Sequence, residues 1–231
     1  MGDPSGDAKS AKLRANSRPR RRAFPGTAFS STLPALPDEP LPAEPVTDVV
    51  RSPGPNAPLM ILPIGQVDAV HLEVIRRPLE ELFERKTEVG AALPVPKYAY
   101  NPTREQYHSS SILKRVETAR LAEWDAAIGI TEADLFVPEV PYIFGEADRS
   151  TRSALISLRR LRPEAGPADT RRDILVRRFV SEVIHQIGLI RGLAHCPNNR
   201  CVMYLAAAVN EIDKRGSGLC ANCRKRLSVA D

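Results

Sequence analysis

An α/β layer structure is predicted for this chain from three observations. Short apolar runs bounded by turn formers alternate with segments of helical periodicity, the longest helical segment carries a continuous apolar stripe, and apolar residues make up 42% of the 231, enough for one core. The first run, Leu59-Met60-Ile61-Leu62-Pro63-Ile64-Gly65, ends in chain breakers and reads as a buried strand. Residues 69–86 have helical spacing, with Val70, Val74, Leu79, Leu82 and Phe83 apolar, and Pro78 predicts a kink or a break within them. A second helix is predicted over 104–122 with Tyr107, Ile112, Val116 and Leu121 inward. Trp124 to Ile130 reads as a second strand, followed by Thr131 as a helix or turn cap, and Ser153 to Leu161 reads as a third. The best helix runs from about Thr170 to Arg191 on the stripe Ile174, Leu175, Phe179, Val183, Ile184, Ile187 and Ile190, and Gly192 is placed to stop it. His185 lies on this helix and His195 follows its stop, whereas His71 and His108 read as ordinary helix residues.

Residues 1–57 read as a disordered tail ahead of a domain at 58–231. The tail holds ten of the 21 prolines and few large apolar residues, so it cannot bury enough surface to offset its ordering entropy. Its basic run Arg18-Pro19-Arg20-Arg21-Arg22 offers charge to an anionic surface, but a solvated arm is the simpler reading. The net charge of +5 is a mild excess in which basic residues alternate with acidic ones, so nucleic acid is not the expected partner. No stretch reaches the roughly 18 continuous apolar residues of a membrane span. The amino terminus lacks the apolar core of a secretory signal, and Arg20-Arg21-Arg22-Ala23-Phe24 is followed by Pro25-Gly26-Thr27, a poor continuation for a twin-arginine signal. Gly6 stands where a myristoylation signal needs Ser or Thr. A cytoplasmic location without membrane attachment is the expectation.

All four cysteines fall in the last 36 residues, as Cys196-x4-Cys201, then 18 residues, then Cys220-x2-Cys223. Two close pairs across a loop form a tetrahedral zinc signature, in which each pair chelates from a tight turn. Pro197-Asn198-Asn199 supplies the first turn and Gly216-Ser217-Gly218 precedes the second, while Lys214, Arg215, Arg224, Lys225 and Arg226 would offset the charge of four thiolates. The competing readings are two disulfides, disfavoured in a chain without an export signal, and an iron–sulfur cluster on the same ligands. A closed four-cysteine zinc site has no open position, so its role is structural.

The stretch His185-Gln186-Ile187-Gly188-Leu189-Ile190-Arg191-Gly192-Leu193-Ala194-His195-Cys196, continued by Cys201-Val202-Met203, 16 further residues and Cys220-Ala221-Asn222-Cys223, resembles the archaemetzincin family of zinc peptidases. That family's signature is HExxHxxGxxHC, then x4, CxM, about 17 residues and CxxC. Upstream pieces resemble the family in the same order: Leu62-Pro63-Ile64-Gly65, Arg104-Glu105-Gln106-Tyr107, Gly129-Ile130-Thr131, Phe144-Gly145-Glu146-Ala147 and Ser157-Leu158-Arg159-Arg160-Leu161. The resemblance covers about residues 59–227. It implies a metzincin-like fold, with a twisted mixed sheet, an active-site helix and a C-terminal four-cysteine zinc subdomain. It also implies a substrate-facing edge strand near Ala154–Leu158 and a Met-turn at Met203.

Two departures bear on function. Gln186 stands at the position of the family's general base, and Leu189 replaces its second zinc-binding histidine; His185, Gly192, His195 and Met203 are kept. In the intact pattern two histidines one turn apart chelate zinc with a third, a water fills the fourth position, and the Glu takes that water's proton. An amide is no base at neutral pH, and loss of general-base help costs roughly 10²–10⁴-fold in rate. His185 and His195 are therefore read as the remnant of a catalytic zinc site whose metal is not assured, beside one structural zinc. Glu182, one turn before His185, is the candidate replacement carboxylate, although a surface or supporting role is the simpler reading. The expected function is that of a pseudo-metallopeptidase that binds peptide or protein. The alternatives are an active peptidase with a non-standard metal site and a nucleic-acid-binding zinc module, the latter weakened by the lack of aromatic residues among the basic ones.

Overall fold

The computed structural model describes residue 54 and residues 56–230, so the proline-rich tail and its arginine run lie almost wholly outside the described residues. Its elements are β1 (Leu59–Ile64), α1 (Ala69–Phe83), β2 (Thr87–Val89), β3 (Tyr100–Asn101), β4 (Gln106–His108), α2 (Ser109–Ala119), β5 (Ala126–Thr131), β6 (Leu135–Val137), β7 (Val140–Ile143), β8 (Gly145–Asp148), β9 (Ser153–Ser157), α3 (Ala168–Ile190), α4 (Val209–Lys214) and α5 (Ala221–Ala230). The main sheet has the order β2-β1-β5-β9-β8. Its first four strands are parallel and β8 runs antiparallel to β9. A smaller sheet, β3-β4-β6-β7, lies beside it.

Helices cover both faces of the main sheet, which is why its central strands are continuous apolar runs without polar alternation. In β1, Leu59 and Ile61 join the core shared with α1 and α3, whereas Met60, Leu62 and Ile64 pack on the other face with Ile112, Leu113 and Val116 of α2. At the amino ends of the strands the buried carboxylate of Asp125 is held by Arg152 and Arg191. The cleft described below opens near the other end, where Gly145 pairs with Ile156.

Several sequence expectations are corrected. α1 ends at Phe83, where Glu84 takes a left-handed conformation (φ 52°), and Pro78 sits inside it without ending it, between the fully buried Ile75 and Leu79. Its inward stripe is Leu72, Ile75, Leu79 and Phe83, leaving Val70 46% exposed. The predicted helix over 104–122 divides: Gln106–His108 forms β4 because it pairs with both β3 and β6, and only Ser109–Ala119 is helical. Tyr107 and His108 therefore lie on a strand, and Leu121, beyond the helix, is 48% exposed. The third predicted strand stops at Ser157, where Leu158 turns into a helical conformation and residues 159–161 form a 3₁₀ turn. The edge strand is also reassigned, because β9, which holds Ala154–Ser157, is interior and β8 terminates the sheet. The cap reading of Thr131 matches the structure: its hydroxyl accepts from the Ala133 N–H at 3.2 Å.

Candidate metal centre and cleft

α3 carries two inward faces. One is the apolar stripe through Leu175, Phe179, Val183, Ile184, Ile187 and Ile190. The other is polar and equally buried: Ser181, Glu182, His185 and Gln186, spaced one turn apart along the helix. The helix stops in a Schellman turn, with the Gly192 N–H donating to Leu189 O and the Leu193 N–H to Gly188 O, both at 2.9 Å. Gly192 has φ +82°, the left-handed conformation that glycine takes without strain. The reversal brings the exposed His195 back over the helix, its ring stacked on that of His185 at 5.4 Å and 14°.

The chain then forms the first cysteine knuckle, in which the Cys201 N–H donates to Asn198 O at 2.9 Å. The Cys220 N–H donates to Cys201 Sγ at 3.4 Å. All four sulfurs lie within 4.8 Å of one another, with Cys196 and Cys220 Sγ 3.9 Å apart, and no disulfide joins them. Zinc–thiolate bonds of about 2.3 Å generate a tetrahedron with edges of about 3.8 Å, so the cage fits a zinc ion. Burial pushes the Cys201 and Cys223 thiols up, whereas Cys220 falls to about 7, chiefly through the Cys223 backbone N–H. Zinc replaces thiol protons. Uptake of zinc by metal-free chain at neutral pH is therefore expected to release on the order of two to three protons, and affinity to fall as the pH drops. Calorimetry in buffers of different ionisation enthalpy measures that release. Of the basic residues expected to offset the thiolates, Arg215 does not face them: it is buried and turned toward α3.

The knuckle and the helix are joined at Val202-Met203. Met203 is fully buried under Gly188, where an added Cβ would stand 2.4 Å from its sulfur. The Val202 carbonyl faces His185 Nδ1 at 2.8 Å. A carbonyl only accepts, so Nδ1 carries the proton and Nε2 keeps its lone pair. Burial lowers the pKa of this imidazole, and the nearby Arg215 guanidinium outweighs nothing of that, since it acts in the same direction against the pull of Glu182.

Arg215 organises the polar face. It donates from Nε to Ser181 Oγ at 3.0 Å, from Nη1 to Tyr204 O at 2.9 Å, and from Nη2 to Glu182 Oε2. Glu182 accepts a second bond from Gln186 Nε2 at 2.7 Å. Burial alone would raise the Glu182 pKa, but Arg215, His185 and Gln186 together hold it below the usual carboxylate range. Glu182 is therefore neither at the surface nor beside both imidazoles. Among the described residues the four cysteines are the group of three or more ligating side chains that comes together, and Leu189 remains half-buried against the core. A second zinc does not fit these residues.

Beside this network lies a cleft of about 390 Å³, walled by Val140–Gly145 on one side and by Leu205–Ala207 on the other, with Glu182, His185, Gln186 and Arg215 at its base. Tyr142 Oη reaches Ala207 O across it at 3.4 Å. Gly145, the first residue of β8, lies against the Gln186 amide, and a Cβ there would be 3.0 Å from Nε2. Gln186 Oε1 is buried without a partner, which costs about 1–3 kcal/mol. The sequence singled out Gln186, His185 and His195, but not Arg215 or Ser181; a basic residue in a chain with 33 of them carries no local mark of burial.

The family model of peptidase family M54 matches residues 97–229. The archaemetzincin of Methanocaldococcus jannaschii is 36% identical over 169 residues, which cover 73% of this chain and 92% of that one. The archaemetzincin of Thermococcus kodakarensis is 33% identical over 175 residues, covering 73% and 94%. Among solved structures, the archaemetzincin of Methanopyrus kandleri matches with a TM-score of 0.67 at 25% identity, over 77% of this chain and 97% of that one. The archaemetzincin of Archaeoglobus fulgidus, complexed with malonate, matches with a TM-score of 0.62 at 29% identity, over 73% and 99%. Among the described residues no helix is long and apolar enough to cross a membrane.

Proposed function

The chain belongs to peptidase family M54, the archaemetzincin family of zinc metallopeptidases, and from that membership we propose that it keeps one structural zinc and binds peptide or protein in its cleft without cutting it. Cys196, Cys201, Cys220 and Cys223 hold the zinc. The observation that carries the reading is the commitment of Glu182 to Arg215 and Gln186, which leaves His185 and His195 without a third ligand where Leu189 replaces histidine.

The zinc, when bound, supplies cross-linking and charge neutralisation in the C-terminal part and no reactive position. The chain's own residues do the rest. The cysteine knuckle presents Val202 O to His185 and Met203 to the underside of α3, so the floor of the cleft is built from the zinc side. β8 ends the main sheet and begins at the cleft, and such an edge holds an extended peptide through main-chain bonds that need no metal. Val140, Ile143, Phe144 and Leu205 give the walls an apolar surface. No group at the base serves as a general base: Gln186 is an amide and the Glu182 carboxylate is spent on Arg215.

Full-length protein purified without added metal or a metal-binding tag is expected to hold one zinc per chain by elemental analysis. It is expected to leave internally quenched peptides intact in added zinc. Leu189→His is expected to raise the metal content to two per chain. Combining it with Gln186→Glu is expected to produce slow cleavage, slowed because the new carboxylate would lie beside that of Glu182 and one of the two would hold a proton. Zinc-dependent cleavage by the natural chain that disappears in His185→Ala would overturn the reading.

A further inference from the structure

We infer that Gln186 selects its ligand by accepting one main-chain N–H of an extended peptide lying along β8, and that the Glu182–Arg215 pair holds the amide in that orientation. The inference rests on the peptide-binding reading above and names which ligands fit it: apolar peptides with a free N–H at one defined position, and so neither proline nor an N-alkylated residue there.

The orientation of the amide follows from its partner. An ionised carboxylate accepts hydrogen bonds and donates none, so the Gln186 atom facing Glu182 Oε1 at 2.7 Å is the nitrogen. Rotation of the amide would set two acceptors against each other. Glu182 is in turn held by Arg215 Nη2, and Arg215 is held by Ser181 Oγ at 3.0 Å and Tyr204 O at 2.9 Å. A chain of buried side chains thus fixes one acceptor, Oε1, on a residue only 4% exposed that lines the cleft.

That oxygen has no hydrogen-bond partner in the protein. Its amide lies against Gly145, whose missing Cβ leaves 3.0 Å to Nε2 and 3.1 Å to Cδ; a side chain there would displace it. Gly145 begins the edge strand, so a peptide pairing with β8 passes within reach of the amide. A group that arrives with an N–H gains a bond and relieves a buried orphan, whereas a carbonyl or carboxylate at the same point meets a like acceptor. The family's carboxylate at this position would repel Glu182; the amide bonds to it instead and turns one acceptor to the ligand.

The test uses full-length, zinc-loaded protein and a positional-scanning library of fluorescein-labelled, capped hexapeptides read by anisotropy. The tightest member is then N-methylated one position at a time, and each derivative is measured against the natural chain and Gln186→Met. Methylation at one position is expected to weaken binding to the natural chain about tenfold and to leave binding to Gln186→Met unchanged. Methylation at positions bonded to β8 should weaken both proteins equally. Retained zinc and an unchanged melting temperature check the variant. Independently of any variant, the ¹³C resonance of Gln186 Cδ is expected to move on titration with the parent peptide and not with the critical N-methyl derivative. Methylation penalties identical in both proteins, or a Gln186 resonance that ignores the peptide, overturn this inference alone. Failure of every library member to bind overturns the peptide-binding reading with it.

Discussion

Replacing Cys223 with serine, or stripping the metal with a chelator, is expected to release the zinc and unfold the chain from Cys196 through α5, with loss of the cleft floor. The four sulfurs form one cage, so removing one ligand opens the whole coordination sphere. Structural zinc contributes roughly 10–16 kcal/mol of apparent binding free energy in small domains, and most of that is folding free energy where few other contacts hold the segment. This segment is of that kind: 16 residues of mostly irregular chain separate Met203 from Cys220, and α4 and α5 are short. The damage should spread to α3, because the His185 Nδ1 bond to Val202 O and the contact of Met203 with Gly188 both come from the knuckle. Elemental analysis, thermal melting and limited proteolysis measure the three consequences. A Cys223→Ser chain that melts like the natural one and resists proteolysis beyond Cys196 would remove the structural role assigned to the metal.

Arg215→Met is expected to destabilise the fold by about 3–5 kcal/mol, since it strands a buried carboxylate. Glu182 and Arg215 are each 3% exposed, and the pair spans from α3 to the loop after α4. The pH dependence distinguishes this from a simple packing defect. The Glu182 carboxyl is held below its usual range in the natural chain, so the pair's contribution is fully present above the unfolded carboxyl value of about 4.3 and is lost as the pH falls through the lower folded value. In Arg215→Met burial is unopposed by the guanidinium, the carboxyl rises, and folding takes up a proton. The stability gap between the two proteins should therefore narrow as the pH falls from 7 toward 5. Urea denaturation at both values measures it; a gap independent of pH would mean that Arg215 acts through packing alone. Glu182→Gln in the Arg215→Met background removes the stranded charge and is expected to recover part of the loss.

What was readable along the chain was what its neighbours in sequence decide. β1 and β5 announce themselves as apolar runs because both of their faces are covered, and α3 does so because its stripe repeats every turn until a glycine permits the Schellman reversal. The cysteine knuckles are short-range chelates whose turn formers lie between the ligands. Gln186 and Leu189 were visible as departures from a spaced motif. The small sheet was not visible: three of its strands are two or three residues long and exist through pairing with distant partners, which is also why residues 104–108 were read as helix.

The sequence by itself determined the alternation of strands and helices, the stop of α3, the cysteine spacing and the two altered positions in the zinc-peptidase motif, because each is set within a few residues. Only the tertiary structure decided that β8 forms the sheet edge in place of β9, that Arg215 turns inward, and that Glu182 pairs with it rather than joining the two histidines. Those outcomes depend on contacts across more than thirty residues. There the cost of burying a charge forces the nearest opposite charge to meet it, whatever the order of the chain.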